Sequence, residues 1–375
     1  MDPVTSEHHG VAASERATRV AFVLEQHVGH RTYSDNLRAA LAGRSDVVAT
    51  WVPIDYAATE SWWERLPSAS VRAALRGHLE VRRGLEGRAN DVCVFNTQVP
   101  AVVGGRTATR LPYILCTDVT PMQYDAMGRG YSHRADGRGP LRWLKHHRNR
   151  SVMQGAFAHA PWSQWAADSL VADYGVEPHR IEVIPPGVDT THWVPGTHSF
   201  DEPMRLLFVG GEFQRKGGDV LLEAFASLPP GGAELTIVTR DEVPRQPGVT
   251  VHHHLSPNDP ELLELYRQNH VFVLPSRWET FGIAAIEAGA SGLAIVATSV
   301  GGLREVLIDE VTGVQVEAGS APDLARQLQR LALDPNLRFR LGSAARARAL
   351  THFDSTVNAN RLIRLACRGA EAGKS

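Results

Sequence analysis

The chain has 375 residues, of which 43% are hydrophobic and 21% charged, and its formal net charge is −2. That balance supplies apolar mass for two or three domains and no general attraction to nucleic acid or to anionic membranes. Cys93, Cys116 and Cys367 are too widely spaced for a zinc motif or a disulfide framework and suit a reducing, cytoplasmic setting, and no apolar run reaches the roughly 20 residues that span a bilayer.

Residues 1–18 carry Asp2, Glu7 and Glu15 and no apolar stretch, so they predict a disordered tail and not a signal peptide. Residues 20–24 predict a buried strand. A loop over 25–34 follows, with Gly29 between His27 and His30, and a helix face begins at Leu37. Further strands are expected at 47–52, 92–95, 113–116 and 181–184, and helices at 62–85, 142–157 and 165–174. Strands alternating with helices imply a parallel sheet covered on both faces.

The stretch 117–125 is expected to be a loop at a strand end, where Asp118 either receives a ligand hydroxyl or caps the following turn; His133 is a further candidate. Arg142, Lys145, Arg148 and Arg150 form a basic helix face, either simply solvated or in peripheral contact with a membrane across 142–150. Pro185, Pro186, Pro195, Gly196 and Pro203 surround a stretch without periodicity, which places a linker at 191–203.

The second half opens with a strand at 204–209, a loop over 210–218 holding Gly211, Arg215 and Lys216, and a helix at 220–228. A strand, a glycine-rich turn with two cations and a helix N-terminus make an anion site, although the spacing of a Walker loop is absent. Strands at 235–238 and 249–251 precede His252, His253 and His254, which would alternate faces on an extended segment and so not converge on one metal ion.

A helix at 261–268 follows, then a buried strand at 271–274, closed by Pro275, a polar loop, and a helix ended by Gly289 and Gly292. Glu279 lies in that loop and Glu287 in the helix. Ligands of open parallel sheets sit outside the carboxyl ends of the strands, where this loop belongs. The N–H groups near Phe281, Gly282 and Ile283 lack intrahelical partners, and Gly282 admits close approach to the backbone. Glu287, among Ala285, Ile286, Ala288 and Ala290, needs a polar partner. A strand at 293–298 and helical sequence from 321 onward complete the chain.

Glu279, seven intervening residues and Glu287, around Thr280-Phe281-Gly282, resemble the signature of retaining GT-B glycosyltransferases of family 4, the glycosyl transferases group 1. Val300-Gly301-Gly302 with Glu305, Thr312-Gly313, Ser163-Gln164-Trp165 and the segment 184–189 extend the resemblance. It implies an α/β GT-B architecture, with two Rossmann-like, doubly wound parallel sheets facing a central cleft. The acceptor domain would span 19–190, the nucleotide-sugar domain 204–352, and a terminal helix within 353–375 would cross back to the first domain.

The implied activity is metal-independent, retaining transfer of a hexose from a UDP- or GDP-sugar to a small-molecule, glycan or lipid-linked acceptor, with no cofactor. By the same resemblance Arg215 and Lys216 would clamp the diphosphate, Gly211 would lie against the donor, and Gly29 would lie against the donor phosphates or the acceptor. Glu287 would hold the ribose, and Glu279, Thr280, Phe281, Gly282 and Ile283 the donor sugar. His254 or Leu255 would hold the base through backbone groups. Relatives often carry a histidine where this chain has Asp118. A sugar phosphorylase of the same fold and an inactive nucleotide-sugar sensor are the alternatives. A glycosidase has no use for the cation pair.

Overall fold

The computed structural model describes residues 16–131, 139–197 and 203–374. The first sheet holds β1 (Thr18–Glu25), β2 (Val47–Ile54), β3 (Val92–Phe95), β4 (Tyr113–Leu115) and β5 (Ala158–His159), in the order β2-β1-β3-β4-β5. The second holds β6 (Met204–Val209), β7 (Ala233–Val238), β8 (Val249–His252), β9 (Val271–Leu274), β10 (Ala294–Thr298) and β11 (Gly313–Val316), in the order β11-β10-β9-β6-β7-β8. All pairings are parallel. Every residue of β3 and β9 is buried, as unbroken apolar runs require when helices cover both faces of a sheet.

Each sheet reverses its winding once, between β1 and β3 in the first and between β6 and β9 in the second. A crevice opens outside the strand ends at such a reversal. The chain crosses between the sheets twice, and the crossings run side by side. Val188 N–H donates to Phe353 O at 2.8 Å, and Ser355 N–H donates to Val188 O at 2.9 Å. The final helix, Ser355–Ala372, packs on the first sheet, where Asn358 and Leu362 are buried.

Several expectations change in the structure. The helix after β1 starts at Val28, so Gly29 lies in its first turn and not in a loop. Burial of Tyr33, Leu37 and Leu41 along one face explains the early start. Ser68 caps Ala69–Leu85 and divides the expected helix at 62–85 from a 3-10 turn at Trp62–Arg65. The expected loop at 117–125 contains the short helix Pro121–Ala126, capped by Thr120 with Gln123 reciprocating.

The strand expected at 181–184 shrinks to one bridge between Ile181 and His159, since its neighbour β5 has only two residues and Pro185 and Pro186 follow. The strands β5 and β11 are too short to stand out in the sequence. The helical C-terminal region divides into Ala321–Leu333, Pro335–His352 and Ser355–Ala372, with Asp334 and Asp354 as caps. His133 lies outside the described residues.

Candidate active site

The second reversal is built by two loops locked together through their backbones. The loop after β6 ends at Gly217, whose φ is +76°, and a Cβ there would stand 2.1 Å from the Pro275 carbonyl oxygen of the loop after β9. Only glycine satisfies both the left-handed backbone and that approach. Arg277 N–H donates to Arg215 O at 3.0 Å, and the Arg277 guanidinium grips Asp219 at 2.6 and 2.8 Å.

This locking brings the predicted charges together. Lys216 Nζ stands 3.4 Å from Glu279 Oε2, across the reversal between β6 and β9. That carboxylate oxygen is buried and receives no aligned hydrogen bond, while Glu279 Oε1 accepts from Thr280 N–H at 3.2 Å. Arg215 pairs with Glu212 and donates to Trp278 O at 2.7 Å, which fixes its position beside Lys216.

Two helices start at this crevice, Gly218–Ala226 and Ile283–Ala290, each behind a glycine in left-handed backbone, Gly217 and Gly282, and neither N-terminus is capped by a side chain. At Gly218–Ala226 the first N–H is taken by Phe213 O at 2.8 Å and Asp219 lies in the first turn, so it is the N-terminus of Ile283–Ala290, with no acid in its first turn, that presents partial positive charge to the crevice. Phe281 is buried, and Thr280 and Ile283 are half-buried.

Glu287, one turn into the second of these helices, finds the polar partner its surroundings demand in Tyr266. The phenol donates to Glu287 Oε2 at 3.0 Å. Burial pushes the Glu287 carboxyl up to about 7, with the Tyr266 hydrogen bond and the Lys216 charge opposing it. Gly211 sits in the loop after β6, where an added Cβ would touch the Arg240 guanidinium at 3.1 Å. His254 and Leu255 follow β8, two strands from β6; His254 is exposed, and Leu255 is half-buried against the core. His252 pairs with Glu261 at 3.1 Å, and among the described residues no group of three potential ligands could hold a metal ion.

The first reversal carries a polar cluster that sequence reasoning missed. Glu25 ends β1 and is buried; Tyr56 donates to its Oε1, and Thr97 donates to its Oε2 at 2.7 Å. Asn96 bonds the Glu25 backbone in both directions, at 2.8 and 3.0 Å. An acid ending an otherwise apolar strand was the available signal. Asp118, just beyond β4, caps nothing, since Thr120 performs that task. Its Oδ2 lies 3.5 Å from His30 Nε2.

Tyr124, on the short helix after β4, joins the two sides. Burial raises its hydroxyl above the usual phenol value, the Glu212 and Asp118 charges reinforce this, and Arg215 opposes it. Tyr124 therefore lies within electrostatic reach of both Asp118 and Arg215.

The domains also touch directly. Glu305, after β10, accepts from Gln164 N–H at 2.7 Å and Trp165 N–H at 2.8 Å, while Ser163 Oγ accepts from Ala166 N–H at 3.1 Å. A side chain of the second domain thus caps a helix of the first.

The sequence model of the family described as Glycosyl transferases group 1 matches residues 190–348, the segment that holds both acids and both cations. That segment is similar to the group 1 glycosyl transferases. D-inositol 3-phosphate glycosyltransferases of Corynebacterium aurimucosum and Thermobifida fusca are 35% and 33% identical to this chain over 204 and 210 residues, 47% and 48% of it. The chain spans about half the length of these curated relatives, 48% of each.

Among solved structures, sucrose-phosphate synthase from Thermosynechococcus elongatus superposes with a TM-score of 0.74 at 19% identity, covering 95% of this chain and all (100%) of that one. The Anabaena protein HepE in complex with UDP-glucose superposes with a TM-score of 0.67 at 16% identity, covering 92% of this chain and 98% of that one. These likenesses establish the fold, and the group 1 glycosyl transferase segment supplies the second half of a GT-B architecture.

Proposed function

We propose that the chain transfers a hexose from a nucleotide diphosphate sugar to an acceptor hydroxyl, with retention and without a metal ion. The carrying observation is the Lys216–Glu279 pair across the second reversal, with Glu287 behind it inside a group 1 glycosyl transferase segment. Lys216 and Arg215, with the uncapped N-terminus of the helix Ile283–Ala290, face the diphosphate. They stabilise the charge that builds on the leaving oxygen as the sugar bond breaks. A charge-assisted contact of this kind contributes on the order of 1.5–3 kcal/mol.

Glu287 receives the ribose hydroxyls, and a carboxylate can accept both. Glu279 and the backbone N–H groups near Gly282 hold the sugar. Asp118, on the opposite wall, receives a hydroxyl of the bound sugar. The structure of HepE with UDP-glucose favours a uridine donor, and the names of the curated relatives make D-inositol 3-phosphate the first acceptor to try.

The test is thermal unfolding with UDP, GDP, ADP and TDP, with Lys216→Ala alongside. A ligand at 100 times its Kd adds about 2.7 kcal/mol of stability. UDP is expected to stabilise the wild type and not the variant. Failure of all four at millimolar concentration overturns the reading.

A further inference from the structure

We propose that His30 is a positioning residue of the transfer reaction, holding the Asp118 carboxylate oriented towards the bound sugar. The proposal rests on the transferase reading above. His30 lies in the first turn of the helix after β1, and Asp118 lies just beyond β4, with β3 between the two strands. Their side chains nevertheless meet at 3.5 Å, with 14% and 10% of their surfaces exposed. Neither side chain has a local task. No side chain caps the helix that carries His30, and Thr120 caps the helix beyond Asp118.

The imidazole is fixed from its other side. Its ring lies 5.1 Å from Trp162, which also packs against Tyr33 at 5.0 Å. Trp162 in turn meets Phe281, from the loop that carries Glu279, edge-on at 6.0 Å. The pair is therefore seated against the donor loop of the second domain. Among the described residues His30 Nδ1 is buried without a hydrogen-bond partner, and the ring's polar contact there is the one directed at Asp118.

The charges around His30 favour an imidazolium. Burial pulls its pKa down, but Asp118 and then Glu25 outweigh burial and hold it above the usual histidine value. Glu25 acts from β1 through space, because Tyr56 and Thr97 occupy its oxygens. Tyr33, on the same helix, is engaged with Cys116. The charge on His30 is complete below the ordinary histidine pKa and disappears as pH rises through the raised value. Asp118 then loses its cationic partner.

The experiment uses the full chain with UDP-glucose as donor, D-inositol 3-phosphate as acceptor and acceptor-dependent UDP release as readout, from about pH 5.5 to about pH 9, a window that brackets histidine titration. His30→Gln, Asp118→Asn and the double variant are compared with wild type. UDP-induced thermal stabilisation of each separates this idea from its foundation. If UDP fails to stabilise even the wild type, the transferase reading has failed.

With that stabilisation intact, His30→Gln should lower kcat by on the order of 10²-fold, the usual cost of a misplaced reacting group, with a smaller change in KM. It should also remove the alkaline fall in rate expected of the wild type. Asp118→Asn should lose the same limb, and the double variant should be no worse than the poorer single one, because the two act as a unit. A His30→Gln enzyme with wild-type kcat, one that keeps the alkaline limb, or additive losses in the double variant would each overturn the proposal.

Discussion

The two winding reversals present the same topological position in opposite states. At the first, between β1 and β3, Glu25 is saturated by its own neighbours, Tyr56 on one oxygen and Thr97 on the other. At the second, between β6 and β9, Glu279 keeps a buried oxygen with no aligned hydrogen bond among the described residues, facing the Lys216 charge at 3.4 Å. A carboxylate whose lone pairs are filled by the protein stabilises the fold. One left facing a cation in a crevice is prepared for a ligand. The backbone repeats the contrast. The helix after β3 is capped by Thr97, whereas both helices at the second reversal start uncapped behind left-handed glycines.

The largest effect that tests this contrast is Gly217→Ala. A Cβ 2.1 Å from the Pro275 carbonyl oxygen, on a backbone with φ of +76°, separates the two donor loops. The expected outcome is a loss of at least about 3 kcal/mol of stability in denaturant unfolding and no response to UDP. A variant of near wild-type stability would break the view that backbone locking builds the site.

Next in size is Glu305→Ala, which strips the inter-domain cap from the helix Gln164–Tyr174. A cost of about 1–2 kcal/mol is expected from the lost cap and helix-dipole interaction. Glu305→Gln should recover part of it, and a neutral Glu305→Ala would mean that the cap contributes nothing in solution.

Glu287 provides a pH-dependent test. Its raised carboxyl binds a proton in the folded chain at pH values where the unfolded chain has already released it. The associated stability is present below the ordinary carboxylate value and is lost as pH rises through about 7. Ribose hydroxyls donating to the carboxylate favour its charged form, so UDP binding should release a fraction of a proton. Calorimetry at about pH 6.5 in two buffers of different ionisation enthalpy measures that fraction. Zero release would remove Glu287 from the ribose site. Glu287→Gln should abolish both the release and the pH dependence.

The smallest effect is expected of Gly29→Ala. Its φ is ordinary for a helix, and an added Cβ would meet nothing within 4 Å. The unliganded protein should be unchanged or gain up to about 1 kcal/mol. If the donor approaches Gly29, the UDP response of this variant falls while its unliganded Tm holds. An unchanged response sharpens the comparison by confining donor recognition to the second reversal.

The two reversals also differ in how readily they can be read. Arg215, Lys216, Glu279, Gly282 and Glu287 fall within two strand–loop–helix segments, and each segment displays its own strand end, glycine and charges. Glu25, His30, Tyr56, Thr97 and Asp118 come from the ends of four strands and meet only when β2-β1-β3-β4 assemble. Asp118 was visible as an acid at a strand end, but its partner was not. His30 looked like one of two histidines in a loop, because the helix around it starts earlier than its polar residues suggest.

Local chemistry in the chain determined the parallel sheets, through unbroken apolar runs such as 92–95 and 271–274. It also determined that the cation pair follows β6 and that Glu279 and Glu287 follow β9, positions set by adjacency along the backbone. Tertiary structure alone decided that Tyr266 answers the buried Glu287, that Glu305 caps a helix of the other domain, and that His30 reaches Asp118. Each of these joins groups from separate elements. Sheet order and domain contact, which no local pattern encodes, bring their atoms within bonding distance.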